Sequence, residues 1–247
     1  MIHMNELICG NSIEVLKTLD DECIDLIITS PPYNLGNSHH TRNNYHKQYD
    51  DDLPEADYQQ QQIDILNECF RVLKSDGSMF YNHKNRIKKG IQTTPYEWLL
   101  KSKFIVKQEI VWINGSPNFD KIRFYPFTER VYWLAKDPKT KLQNNIGHTD
   151  VFDSKEWGAV GTKGVFKRAF PEKMVEDIIS CFPDSKVILD PFVGSGTTCK
   201  VAKQMGRNYI GIDISQEHIN VAKDRLEQST TPDNDILEQE NLDGYGQ

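Results

Sequence analysis

Long apolar runs are missing from this chain of 247 residues. None approaches the roughly 18 residues that a membrane-crossing helix needs. Met1 to Glu6 lacks the charged and apolar regions of a signal peptide, so the expected compartment is cytoplasmic. Cysteine is sparse and scattered (Cys9, Cys23, Cys69, Cys181, Cys199), with no Cys-x-x-Cys spacing. That removes a paired redox or thiolate-metal site and leaves reduced residues in or near a core. The pair His39-His40 has no acid at helical spacing, so a surface loop is expected there and no metal site. Positive charge is short as well: 29 Lys and Arg stand against 36 Asp and Glu, a net charge of −7. A nucleic-acid binder ordinarily shows a basic face. Here the deficit is concentrated after Pro232, where Asp233, Asp235, Glu238, Glu240 and Asp243 have no Lys or Arg among them and Glu227 lies just before. Without that segment the remainder is much closer to neutral.

What is present suits one α/β domain over residues 1–228 with an acidic, disordered tail at 229–247. The hydrophobic fraction is 38% and the charged fraction 26%, and two domains would be cramped in this length. Leu7 to Cys9 reads as a short strand before the turn at Gly10-Asn11, Ser12 to Leu19 as a helix, and Ile24 to Thr29 as a buried strand. Leu35 to Asp52 is a long polar loop, which in this position suggests a mobile lid. Pro54 to Leu73 has helical periodicity and is stopped by Lys74-Ser-Asp-Gly77. The strand Ser78 to Tyr81 then runs into the basic stretch Asn82 to Lys89, read either as a solvated face or as a phosphate contact. Tyr96 to Lys101 looks helical. Phe104 to Ile113 and Arg130 to Ala135 form an expected antiparallel pair. Lys136 to Gly164 is a loop-rich insertion, and Pro171 to Cys181 is a helix with proline in its first turn. Strand 187–190, helix 197–205, strand 208–213 and helix 216–228 complete the alternation. The pattern predicts a mainly parallel sheet covered on both faces, with an antiparallel edge.

Two strand ends carry the chemistry. Ser30-Pro31-Pro32-Tyr33 closes the strand Ile24 to Thr29 without a spacer. Each proline fixes φ near −65° and removes an N–H, and Ser30 is pushed to an extended conformation. Such a corner offers a Ser oxygen, one or two carbonyls and the Tyr33 ring, a set that suits a planar ring bearing an NH₂ group. The plain alternative is a structural proline turn. The second end is Val193-Gly-Ser-Gly196, where Gly194 and Gly196 permit close backbone approach and the following helix N-terminus faces an anion. Asp213 closes the next strand and is placed to take the hydroxyls of a ribose. Together these point to a nucleoside cofactor. The Walker A pattern fails because Gly196 is followed by Thr-Thr-Cys-Lys200, and the dinucleotide fingerprint has only Cys199 at its third small position.

These residues resemble the amino-methyltransferase family of DNA methyltransferases. Ser30-Pro-Pro-Tyr33 looks like the family's catalytic tetrapeptide and Asp190-Pro-Phe-Val-Gly-Ser-Gly-Thr197 like its cofactor loop. The catalytic motif comes first, the order of the circularly permuted β-group. The resemblance spans roughly residues 5 to 228. It implies a single Rossmann-like class I methyltransferase domain with a seven-stranded sheet, S-adenosylmethionine as methyl donor and DNA as partner, with a homodimer left open. Ser30, Pro31, Pro32 and Tyr33 are the implied catalytic residues. Asn11, Phe170, Pro171, Asp190, Phe192, Gly194, Ser195, Gly196, Thr197 and Asp213 are the implied cofactor contacts. Asn11 stands where the family often has Asp, and the Lys136 to Gly164 insertion matches the target-recognition position.

The implied reaction is methylation of an exocyclic amino group on a base extruded from the duplex. Methylation at carbon 5 of cytosine is disfavoured, because it relies on a Pro-Cys thiolate and none of the five cysteines follows a proline. The Ser form of the tetrapeptide leans to cytosine N4, with adenine N6 the alternative. A nicotinamide oxidoreductase and an inactive DNA-binding relative are the competing readings.

Overall fold

The computed structural model describes residues 4–36, 51–114, 121–145, 147, 149–153, 155 and 171–228. Along the chain these form β1 (Glu6–Cys9), α1 (Ser12–Leu16), β2 (Ile24–Thr29), α2 (Glu55–Val72), β3 (Leu73–His83), β4 (Arg86–Lys88), β5 (Ile91–Thr93) and α3 (Tyr96–Leu99). They continue with β6 (Ile105–Ile113), β7 (Thr128–Ala135), β8 (Val151–Phe152), α4 (Glu172–Ser180), β9 (Val187–Asp190), α5 (Thr197–Gln204), β10 (Asn208–Asp213) and α6 (Gln216–Gln228). No helix among the described residues is long and apolar enough to cross a membrane.

The main sheet runs β1-β10-β9-β2-β3-β7-β6-β8. The five strands from β1 to β3 are parallel, β7 is antiparallel to both β3 and β6, and β8 is parallel to β6. Side-chain alternation explains the layering. Leu26 and Ile28 of β2 join one core with Val175, Ile179, Val201 and Ile219 of α4, α5 and α6. Ile27, between them, joins the other with Leu16, Leu66 and Trp98 of α1, α2 and α3. A strand buried on both faces needs such a continuous apolar run, as β2 has.

From β9 the chain crosses to β10 on one side, and from β2 to β3 on the other. The β9–β2 boundary is therefore the switch point, beyond whose carboxyl ends ligands gather in open α/β sheets. Only two residue pairs join these strands, Leu26↔Ile188 and Ile27↔Leu189.

Several expectations are corrected. The sheet has eight strands where seven are expected, because Val151–Phe152 inside the loop-rich insertion pairs with Val111 and Trp112. α2 ends at Val72, next to the expected Leu73, but Lys74 to Gly77 is not a separate turn. That segment belongs to β3, which begins directly after α2 and shifts register between its pairings with Ile24 and Leu26. Gly77 is required there, since a Cβ would lie 2.7 Å from the Leu73 side chain and 2.9 Å from the Asp25 carbonyl. α1 ends at Leu16 and α3 at Leu99, both shorter than their periodicity suggests. Pro171 is the N-cap of α4 and not part of its first turn. Cys9 is exposed, whereas Cys69 and Cys199 are buried. The lid expected over 35–52 lies mostly outside the described residues, as do His39-His40 and the acidic tail.

Candidate functional site

The two strand ends singled out by sequence meet at the β9–β2 boundary. Thr29 Oγ1, the last residue of β2, donates to Asp190 Oδ1 at the end of β9 (2.7 Å). Thr198 on α5 reaches the Ile28 carbonyl at 3.4 Å, and Ser12 Oγ donates to the Pro191 carbonyl at 2.6 Å. The proline corner and the glycine loop are thereby side by side.

The corner is built by residues distant in sequence. Ser30 Oγ and the Tyr33 hydroxyl are 2.7 Å apart, and the Tyr33 hydroxyl donates to Glu129 Oε2 at 3.0 Å. Asn82 Nδ2, at the end of β3, points at all three: Tyr33 at 2.7 Å, Glu129 Oε2 at 3.0 Å and Ser30 Oγ at 3.3 Å. Asn114 Nδ2 donates to the other Glu129 oxygen at 3.1 Å. Burial first, and then the Glu129 charge, holds the Tyr33 phenol well above its ordinary pKa, so it keeps its proton.

The Tyr33 ring packs against His83 at 4.5 Å with a 41° tilt, and Lys84 Nζ lies 5.7 Å from its centroid. Tyr58 from α2 brings its hydroxyl within 2.8 Å of the Pro32 carbonyl and 2.7 Å of His83 Nε2. Burial drives the His83 pKa down to about 3, so this imidazole is neutral at physiological pH. The exit from the corner is pinned too. Asn34 has φ +55, and the Asp51 carboxylate accepts the Asn34 and Leu35 amides at 2.8 and 3.2 Å.

The glycine loop is shaped by its backbone. Gly194 has φ +48 and Gly196 φ +83. A Cβ on Gly196 would meet Ala222 Cβ at 2.8 Å and Ala222 Cα at 3.1 Å, whereas one on Gly194 would find only the Phe192 carbonyl, at 3.9 Å. Gly196 is thus a packing requirement and Gly194 borders open space. Gly196 is the N-cap of α5 and no side chain caps that end, so the helix presents its first turn uncapped. Asp213 accepts the Gly194 amide on Oδ2 at 3.0 Å and the Ser215 amide on Oδ1 at 2.8 Å, with His218 Nδ1 at 3.2 Å from Oδ1. It fastens the loop and retains lone pairs for further donors. The uncapped turn, the open space at Gly194 and this carboxylate fit an amino acid–nucleoside ligand.

Other predicted residues are placed as follows. Asp190 is buried and accepts from Thr29 and from the Phe192 amide at 3.0 Å; its pKa is raised to about 6 by burial. Phe192 packs on the core that contains Ile27. The Ser195 and Thr197 hydroxyls take Arg225 at 2.8 and 3.1 Å, and Arg225 also pairs with Glu172. Asn11 caps α1, its side-chain oxygen accepting the Ile13 and Glu14 amides. Phe170 lies outside the described residues, and Pro171 is at the head of α4.

Sequence reasoning missed Asn82, His83, Tyr58, Asn114 and Glu129. The basic stretch starting at Asn82 turns inward at its head, with Asn82 and His83 buried, and Arg86 pairs with Glu55 at 2.6 and 2.9 Å. The available signal was polar residues continuing an apolar strand without a turn.

The N6/N4 methyltransferase family model, described as DNA methylase, matches residues 24–224. The Type II methyltransferase M.HinfI of Haemophilus influenzae is 32% identical, over 94% of this chain and 71% of that protein. M.HpaI of Haemophilus parainfluenzae is 31% identical, over 90% of this chain and 74% of its own length. Among solved structures, the PvuII DNA methyltransferase (cytosine-N4-specific) superposes with a TM-score of 0.70 at 20% identity, covering 95% of this chain and 89% of that one. A putative DNA modification methylase from Thermus thermophilus, complexed with S-adenosyl-L-methionine, superposes at 0.65 and 18% identity, covering 90% and 95%.

Proposed function

Because this chain belongs to the N6/N4 DNA methylase family, we propose that the crevice between its proline corner and glycine loop methylates an exocyclic amino group of a base in DNA, with cytosine N4 the favoured target. S-adenosylmethionine, when bound, supplies a sulfonium methyl carbon that an amine attacks in line. The observation that carries the reading is the juncture itself: Thr29 and Asp190 join the ends of the two motifs at 2.7 Å.

The residues divide the work. Gly194 and the first turn of α5, held in shape by Gly196 against α6, receive the donor's amino-acid end, and Asp213 its ribose. Ser30 and the Pro31 carbonyl accept the two amino hydrogens of the base. That draws the nitrogen lone pair out of conjugation with the ring and turns it toward the methyl group. Tyr33 bears on the extruded base, and Pro31 and Pro32 keep the acceptors from moving when it arrives. The nitrogen–carbon bond would form as the methyl carbon–sulfur bond breaks, leaving a neutral thioether, and the surplus amino proton would leave through these acceptors. Positioning and fixed dipoles supply the acceleration, and no covalent enzyme intermediate is involved. Ser30 at the head of the tetrapeptide favours cytosine; adenine N6 methylation uses the same residues in the same roles.

Transfer of labelled methyl from S-adenosylmethionine to DNA tests the reading. Ser30→Ala and Tyr33→Ala should abolish transfer while donor binding persists; equal loss of donor binding would place those residues wrongly. Long-read sequencing of DNA from cells expressing the protein identifies the modified base and its context.

A further inference from the structure

We propose that Glu129 is a positioning residue that fixes the direction of the Ser30–Tyr33 hydroxyl pair, so that Ser30 Oγ faces the target amine as an acceptor only. This rests on the methyl-transfer reading above and adds to it a residue from a third strand.

Counting protons gives the direction. A tyrosine hydroxyl has one proton and can accept two hydrogen bonds. The Tyr33 proton goes to the Glu129 carboxylate at 3.0 Å, and the Tyr33 oxygen receives Asn82 Nδ2 at 2.7 Å. Its remaining capacity faces Ser30 Oγ at 2.7 Å, so Ser30 must donate there. Ser30 thereby commits its only proton inward and, with one lone pair facing Asn82 Nδ2 at 3.3 Å, presents the other outward. An amine about to act as a nucleophile needs that polarity, because a hydroxyl proton aimed at the nitrogen would compete for the reacting lone pair. Without the carboxylate, either hydroxyl is free to donate across the 2.7 Å contact and the direction is lost.

The Asn82 amide shows how strongly the carboxylate orders this cluster. Asn82 is 2% exposed, and its Oδ1 is buried without a hydrogen-bond partner. Turning the amide over would bring Oδ1 against Glu129 Oε2, acceptor against acceptor. The orientation that leaves Oδ1 unpaired is the one that keeps a donor on the carboxylate, while Asn114 holds the second carboxylate oxygen at 3.1 Å.

The test compares Glu129→Gln, Tyr33→Phe and the double variant in single-turnover methyl transfer, on a duplex carrying the sequence that long-read sequencing identifies. S-adenosylmethionine binding is measured by calorimetry alongside. Each single variant should transfer roughly thirtyfold more slowly, the scale of one charge-assisted hydrogen bond. The double should be no slower than Tyr33→Phe, because the effect of Glu129 passes through the Tyr33 hydroxyl. Donor affinity should stay within about twofold of wild type. A Glu129→Gln rate within about threefold of wild type, losses that multiply in the double, or lost donor binding each overturns the inference and leaves the methyl-transfer reading standing. Wild-type protein that binds donor yet methylates no DNA overturns that reading and this inference with it.

Discussion

The proline corner and the glycine loop close adjacent strands, yet they are held in opposite ways. The loop is a backbone object: Gly194 and Gly196 take positive φ, α6 packs onto Gly196, and Asp213 grips main-chain amides. The corner is a side-chain object, with Ser30, Tyr33, Asn82, Glu129 and Asn114 bonded to one another across separate elements. Steric fit therefore governs one half of the crevice and polar matching the other. A substitution that adds volume should damage the first, and one that changes hydrogen bonding should damage the second.

The largest effect that would break this contrast is at Gly196. Gly196→Ala forces a Cβ against the Ala222 backbone in a left-handed conformation, and equilibrium denaturation should show a loss of about 3 kcal/mol. A near-neutral result would mean that α6 yields easily and the loop is not held by fit.

Asp190, where the two halves touch, comes next. Its pKa of about 6 lies above that of an unfolded aspartate, so the folded state favours the protonated form. The associated stability is complete below the unfolded pKa and is lost as pH rises through the folded one. Asp190→Asn escapes that loss, so its stability relative to wild type should rise by about 2 kcal/mol between about pH 4.5 and 8. A constant difference across that range would show that Asp190 remains ionised throughout.

Tyr58→Phe sharpens the corner's side of the comparison. It removes one buried hydroxyl between the Pro32 carbonyl and His83, and should lower stability by about 1.5 kcal/mol in urea titration with no change in donor affinity. The smallest effect is expected at Gly194→Ala, about 1 kcal/mol of backbone strain, since its Cβ enters open space. Donor titration should nevertheless register it more strongly than Tyr58→Phe does. If Gly194→Ala is tolerated in both assays, the open space beside it serves no ligand.

The same contrast explains what sequence could disclose. A glycine-rich loop, an apolar run and an acid at a strand end are local signals, and the loop between β9 and α5 was legible from them. The corner's proline backbone was equally plain. Its supporting cluster was not, because Asn82, Asn114 and Glu129 come together only through the pairing of β3, β7 and β6, and no spacing along the chain records that pairing. Charge misled for a related reason. Arg86 reads as part of a basic run that is either solvated or in contact with phosphates, yet its guanidinium lies 4.5 Å from the Tyr58 ring centroid and 5.4 Å from that of Trp98. A long cationic side chain declares its sign in sequence and leaves its direction unstated. The two-residue β8 escaped notice because its partner strand, not its own composition, makes it a strand.

The seam between β2 and β9 is sewn by two backbone pairs, against five between β2 and β3, yet its two ends are bolted by side chains. Asp25 Oδ2 clasps the Lys186 and Val187 amides at 3.0 and 2.8 Å at one end, and Thr29 clasps Asp190 at the other. The joint is thereby fixed by side chains at both ends of the strand pair. Under the proposed reading, this joint sets the span that a methyl group would travel before either reactant arrives.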